Sequence, residues 1–447
     1  MQRIVFAFFL YFLYLLLMKR KVFTALLLLL STVLYAQQPQ DSVKKKILKQ
    51  WNLSADLTEE VVIPFDTTFS LFNRYRLTDR YSPVNAGLGN YGLPFYQINF
   101  FDRISHPDKF LYSSYFPLMY VPERALFMNT QTPFTELVWT IGGSREIAEQ
   151  TFRVRHSQNV NRFLNFGLVY DIVYSLGQYS YQRSQDKNFT FYTSYTGDNY
   201  KLYLSAGLNN MTAFENGGIR FPDQLTEFEP REVEVNMGAL NKASGFLRNN
   251  NLLLVQRYTP GKKKTAVSDS LPAPEINTSR LNGTFTHILI VEGNRRTYSD
   301  SYPLSGFYDT TFISTSATFD SLSTRSLDNT LRFDFAAGRE GRFRLGGGVG
   351  IRNEIRRYSQ IVPLPDSLAS DTAVWHKSNN VLLGKLYNNI GESFQWTARG
   401  ELYLSGYRAG DFDLNGVITK TFKLPKGVAL WEISGGVMNR QPSFWYE

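Results

Sequence analysis

The chain has 447 residues, of which 43% are hydrophobic and 15% aromatic, with a formal net charge of +9 and no cysteine. The lack of cysteine excludes disulfide staples, thiolate metal sites and cysteine nucleophiles. The basic excess is dispersed: beyond residue 36 its only tight clusters, Lys44 to Lys46 and Lys262 to Lys264, read as solvated loop charge, so no nucleic-acid partner is expected.

The N-terminus carries two apolar runs, Ile4 to Leu17 and Val22 to Leu34, separated by Lys19, Arg20 and Lys21. Each is too short for a confident spanning helix, which leaves a helical hairpin anchor as the weaker reading. The second run has a basic flank before it and Ala36 after it, the layout of a secretory signal. Residues 1–36 are therefore predicted to be a signal peptide, with Met18 as the true start and cleavage after Ala36. Losing four basic residues and no acid lowers the net charge from +9 to +5. No later apolar run approaches a spanning helix, so a mature chain that enters a membrane must do so as a closed barrel, which satisfies every backbone polar group.

Residues 37–133 are mixed in pattern. DSVKKKILKQWNLSADLTEE reads as a flexible start, while FYQINFFDR and FLYSSYF are strands of broken period, so this region is expected to be an early part of the wall or a periplasmic extension. It lacks the compact α/β pattern of a plug, which disfavours an energy-coupled transporter.

From Phe134 onward the period is two. Leu164, Phe166, Leu168, Tyr170, Ile172 and Tyr174 alternate with Asn165, Gly167 and Asp171; the same alternation recurs from Tyr200 to Leu208 and from Arg342 to Arg352. Runs of 9 to 11 residues match tilted bilayer-crossing strands, whereas soluble strands cluster near ~5 to 6. The other candidates are 134–142, 149–156, 188–196, 251–258, 281–292, 329–337, 380–388, 393–406, 411–422 and 428–438, thirteen in all. Connections alternate short and long as in outer-membrane barrels. Two break the rule, the long 259–280 and the short 407–410, suggesting a misplaced strand near each. The long 209–250 connection is a candidate constriction or surface lid. Tyr195 and Tyr200, Tyr174 and Tyr179, and Tyr403 and Tyr407 sit at strand ends, where interfacial girdles form. Alternation alone also fits a soluble propeller or sandwich.

The blocks NTQTPFTELVW (129–139), HSQNVNRFLNFGLVYD (156–171), SLGQYSYQRS (175–184), ENGGI (215–219) and GELYLSGYRAGD (400–411) resemble the putative porin family of the Bacteroidetes, in order and spacing together. The likeness covers most of the chain after about Phe65 and implies an outer-membrane barrel. Such barrels normally end on a strand with a terminal aromatic, whereas Phe444, Trp445, Tyr446 and Glu447 follow a turn at Arg440 to Pro442. The expectation is an all-β, transmembrane antiparallel β-barrel of about 14 to 18 strands when complete, with closing strands missing from this sequence, since bacterial single-chain barrels have even strand numbers.

Chemistry-bearing motifs are sparse. His106, His156, His287 and His376 form no motif, and His156 beside Ser157 sits at the exit of a short strand, so no enzyme and no cofactor are expected. Gly346, Gly347, Gly348 and Gly350 lack the lysine of a phosphate loop and lie in a strand, where they mark close approach of something else, such as an inward-folded loop.

The polar strand faces carry Arg153, Arg155, Lys201, Arg332, Arg342, Arg344, Arg352 and Arg399 against Asp171, Asp334, Glu401 and Asp413. Lining a lumen, these residues would give weak anion preference. Alternatively they pair and pack the interior, as Arg332 near Asp334 and Arg399 near Glu401 suggest. The expected activity is passive diffusion of small hydrophilic solutes. Expected partners are outer-membrane lipid and lipopolysaccharide, the outer-membrane assembly machinery and those solutes, with oligomeric state left open. The alternative is a plugged, non-channel barrel whose long loops bind a partner or surface glycan.

Overall fold

The computed structural model describes residues 48–446 apart from 66–72, 75, 83, 101–102, 104–108, 145, 239–241, 261–281, 310–313, 315, 340–342, 364–369, 391–392 and 425–426. The predicted signal peptide lies outside the described residues.

Thirteen strands form one antiparallel sheet in strict chain order. They are β6 (Phe134–Gly142), β7 (Glu149–Asn159), β8 (Leu164–Ser175), β9 (Ser184–Thr196), β10 (Tyr200–Phe214), β11 (Ser244–Tyr258), β12 (Asn282–Asp300), β13 (Thr318–Arg339), β14 (Phe343–Pro363), β15 (Ser370–Ile390), β16 (Phe394–Gly406), β17 (Phe412–Leu424) and β18 (Gly427–Asn439). All thirteen predicted strands are present, most of them longer at one end. No extra strand intervenes at 407–410, which is a tight turn between β16 and β17. β6 and β18 are the edges of the sheet and do not pair with each other.

The polarity of this wall is inverted relative to a water-soluble sheet. Along β8 the buried positions are Asn165, Gly167, Val169, Asp171, Val173 and Ser175, while the oily alternates remain partly exposed. On β9 the buried set is Ser184, Asp186, Asn188, Thr190, Tyr192 and Ser194. Conversely Leu331, Leu345, Val349, Ile351, Leu386, Leu404, Leu414 and Ile433 are exposed. A soluble sandwich would bury those leucines against a second sheet; here the polar face is the covered one, which a lipid-facing wall requires. Tyr200, Tyr258, Phe285 and Phe333 occupy one register row on the outer face, and Tyr195 stands 6.2 Å from Tyr200. Tyr403 departs from the expected girdle: it is buried on the inner face and accepts a hydrogen bond from Arg408 (3.0 Å).

Residues 48–133 fill the space behind that polar face. β1 (Leu48–Leu53), β2 (Glu60–Ile63) and β5 (Leu126–Thr130) form a separate sheet of order β2-β1-β5, and β3 (Asn85–Gly87) pairs with β4 (Phe95–Gln97). Among the described residues none of these strands joins the wall. Trp51, Leu53, Phe127 and Met128 share one apolar cluster with the wall residues Tyr192, Tyr203, Leu253, Val255 and Ile288. Tyr112, Tyr115, Phe116 and Leu118 share a second with Val173, Met211 and Leu247. The same unit touches β7 through Arg76–Glu149 and β16 through Asp56–Arg399. In a flat sheet those strands would stand roughly 43 Å apart, nine spacings of about 4.8 Å, so the wall curls around the unit. The plug-like body that the residue pattern did not suggest is therefore present as an inserted N-terminal unit.

The described residues of the connection between β10 and β11 pack at the strand ends. It is tied to the rim, where Arg231 donates to the carbonyls of Tyr179, Leu176 and Gly177. The glycines of β14 meet neighbouring-strand side chains and not a loop: a Cβ at Gly346 would overlap the Tyr387 ring, and at Gly347 it would come 2.9 Å from Phe335. Rings lying over strand glycines recur at Gly167 beneath Tyr192 and at Gly283 beneath Phe333, a packing device that pins register.

Candidate functional site

The inner face of the wall and the unit seated on it form the candidate site. Arg153 of β7 forks onto Asp171 of β8 (2.6 and 3.1 Å), and the Tyr120 hydroxyl of the inserted unit donates to the same carboxylate. Arg155 pairs with Glu136 at 2.9 Å and lies over the Phe134 ring. Arg352 of β14 reaches Glu354 (2.8 Å) and Glu401 of β16 (2.7 Å). Asp413 takes Arg440 and Asn415. Arg342 and the Arg344 side chain lie outside the described residues. Those of the predicted lining residues that are described lie on the inner face as ion pairs. Arg399 beside Glu401 is not one of them: Glu401 goes to Arg352, and Arg399 looks to Asp56.

One group of charges is completed only by the inserted unit. Lys201, Arg257, Thr286 and Arg332 share a register row across β10 to β13, and Asp334, Gly348, Lys385 and Arg399 share the next across β13 to β16. Into this patch the turn after β1 inserts Asp56. Its Oδ2 lies 3.0 Å from Lys385 Nζ, 3.6 Å from Arg332 Nη1 and 3.9 Å from Arg399 Nε. Its Oδ1 accepts from Ser54 (2.6 Å) and Thr58 (2.8 Å), an arrangement that shapes the turn. Glu59 adds a second contact to Lys385 at 3.0 Å, and Glu60 takes Lys201 and the Tyr203 hydroxyl. Lys385 and Arg332 are only 4% and 5% exposed.

Burial works to raise the Asp56 carboxyl, yet Lys385, the Ser54 hydroxyl, Arg332 and Arg399 together hold it well below the usual range. Glu60 is likewise held down against its burial, by Lys201 and Tyr203.

Higher in the interior, asparagines clamp the unit's backbone. Asn188 donates to Leu118 O (2.7 Å), Asn209 exchanges two bonds with Tyr120 (2.8 and 2.9 Å), and Asn251 donates to Tyr120 O (2.7 Å). The side-chain amides replace the partners a strand would supply to these carbonyls. Gly207 leaves room for this approach: a Cβ there would stand 2.6 Å from Tyr120 O.

Lys385 was missed although it lies in the predicted 380–388 strand, on the inner face opposite Leu386 and Gly384; its parity was the available signal. Asp56, Glu59 and Glu60 gave none, because they sit in a polar stretch that reads as flexible.

Inverted polarity and a filled, ion-paired interior define a membrane β-barrel carrying an inserted N-terminal unit. The chain belongs to the putative porin family, whose model matches residues 47–447. Among solved structures it is similar to the siderophore receptor PirA from Acinetobacter baumannii, at 8% identity over 65% of each chain with a TM-score of 0.18, a likeness too slight to carry argument. No curated protein matches the chain.

Proposed function

We propose that this protein is an outer-membrane porin through which small hydrophilic solutes diffuse passively, with residues 48–133 setting the aperture. The observation that carries the reading is the wall itself: apolar outside, charged and amide-rich inside, as a water-filled path through lipid requires. Its surroundings are outer-membrane lipid and lipopolysaccharide, delivery falls to the outer-membrane assembly machinery, and the chemistry is passage without catalysis or cofactor, in a bacterium of the Bacteroidetes. Because most inner cations are already paired, any anion preference rests on the patch that Asp56 occupies.

The second reading, a plugged barrel without a channel, is favoured by the inserted unit's contacts from β7 to β16. Swelling of liposomes carrying the purified protein in sugars of graded size separates the two. The porin reading expects swelling with the smallest sugars and a sharp size cut-off; no swelling with any of them leaves the plugged barrel.

A further inference from the structure

The cationic patch on β10 to β16 is overbuilt for the wall alone. Lys201, Arg257, Arg332, Lys385 and Arg399 face one wall acid, Asp334, and the excess of four positive charges falls to one when Asp56, Glu59 and Glu60 arrive from the inserted unit. Five cations held by hydrogen-bonded strands at fixed spacing repel one another, a standing cost that needs an anion in place. Gly348 lies between Asp334 and Lys385 in its row, and a Cβ there would come 2.0 Å from Asp334 Oδ1 and 2.8 Å from Arg332 Nη2, so the glycine leaves the room in which Asp334 and the Arg332 guanidinium pair beside the seat of Asp56. Asp56 Oδ1 is held by Ser54 and Thr58, while its buried Oδ2 meets the three cations without an aligned hydrogen bond, so charge is what binds it to the wall.

We propose that this patch is a binding site for small polycarboxylate solutes, and that the acidic turn Asp56 to Glu60 is its internal occupant, competing with the solute from within the lumen. The class follows from the stand-ins: three carboxylates within five residues, matched to two guanidinium groups and an ammonium around Asp56 and an ammonium at Glu60. A solute with several carboxylates reproduces that set, while a single small anion does not.

The proposal deepens the porin reading, and its test does not depend on conductance. Citrate is titrated calorimetrically into the detergent-solubilised full chain and into the variant D56N/E59Q/E60Q, each first shown to keep the heat-modifiable mobility of the folded barrel. Removing the resident competitor is expected to strengthen citrate binding about tenfold or more, since an occluded site loses apparent affinity in proportion to the fraction of time it is open. Adding K385Q/R399Q to that variant is expected to abolish the gain. A folded triple variant that binds citrate no better than the parent overturns the proposal, as does a gain that survives loss of Lys385 and Arg399. Should the triple variant not fold, Glu59→Gln alone, at a position 58% exposed, removes one of the two carboxylates on Lys385 and is expected to give about a threefold gain; no gain overturns the proposal. Failure of sugar uptake with citrate binding intact would sink the porin reading and leave the site standing.

Discussion

Placing an arginine on the outer face tests what that face touches. Val349 is 54% exposed, sits between Leu345 and Ile355 on β14, and pairs with Phe333 and Gly384 on the neighbouring strands. If it faces hydrocarbon, Val349→Arg costs about 2 to 4 kcal/mol, the penalty for a cation near the bilayer midplane of a barrel. At about 3 kcal/mol the folded-to-unfolded ratio falls by roughly two powers of ten. On a water-exposed surface the same change would stay within about 0.5 kcal/mol, because the guanidinium would remain hydrated. Urea titration of the protein in lipid vesicles, followed by heat-modifiable mobility and tryptophan emission, reads the difference directly. Val349→Leu serves as a control and is expected to be neutral. A Val349→Arg protein as stable as its parent would refute the assignment of this face to lipid.

Other outcomes follow from the inserted unit. Gly207→Val drives a side chain into the Tyr120 carbonyl and disrupts the asparagine clamp, at about 1 kcal/mol for each of its hydrogen bonds; it is expected to open residues 48–133 to protease in reconstituted vesicles while the wall stays resistant, and an unchanged digestion pattern would contradict the clamp. Asp56 and Glu60 are both held below their ordinary values of 3.8 and 4.5, so the stability they contribute is complete above the unfolded values and is lost as pH falls through the lower folded ones. Emission from the buried Trp51 is expected to shift to the red on acidification below about pH 4, with D56N/E60Q flattening that acid limb; an identical limb in the variant would place the titration elsewhere.

The wall was legible because its physics is local. A strand that separates lipid from a polar interior must alternate, and Leu164 to Tyr174 or Phe394 to Gly406 do so over a whole crossing, which fixed strand count and face without any knowledge of partners. The interior was legible only in part. Arg153, Asp171 and Arg352 declare themselves by parity, but which acid each finds depends on register between strands, and Glu401 turned to Arg352 and away from its chain neighbour Arg399. The inserted unit was hidden because its strands are three to six residues long and its burial is supplied by the wall. Trp51 and Phe127 look like scattered apolar residues until Tyr192, Tyr203 and Leu253 close over them.

That shared cluster has a consequence for biogenesis. Neither partner can hide its rings alone: Trp51, Tyr112 and Phe127 of residues 48–133 stay uncovered until the wall curls round them. Threading a finished cylinder afterwards would mean dragging Leu118 to Tyr120 past the asparagine rungs. A wall that wraps round the unit avoids that passage, and the uncovered stretch is then the part of the unfolded chain in greatest need of escort.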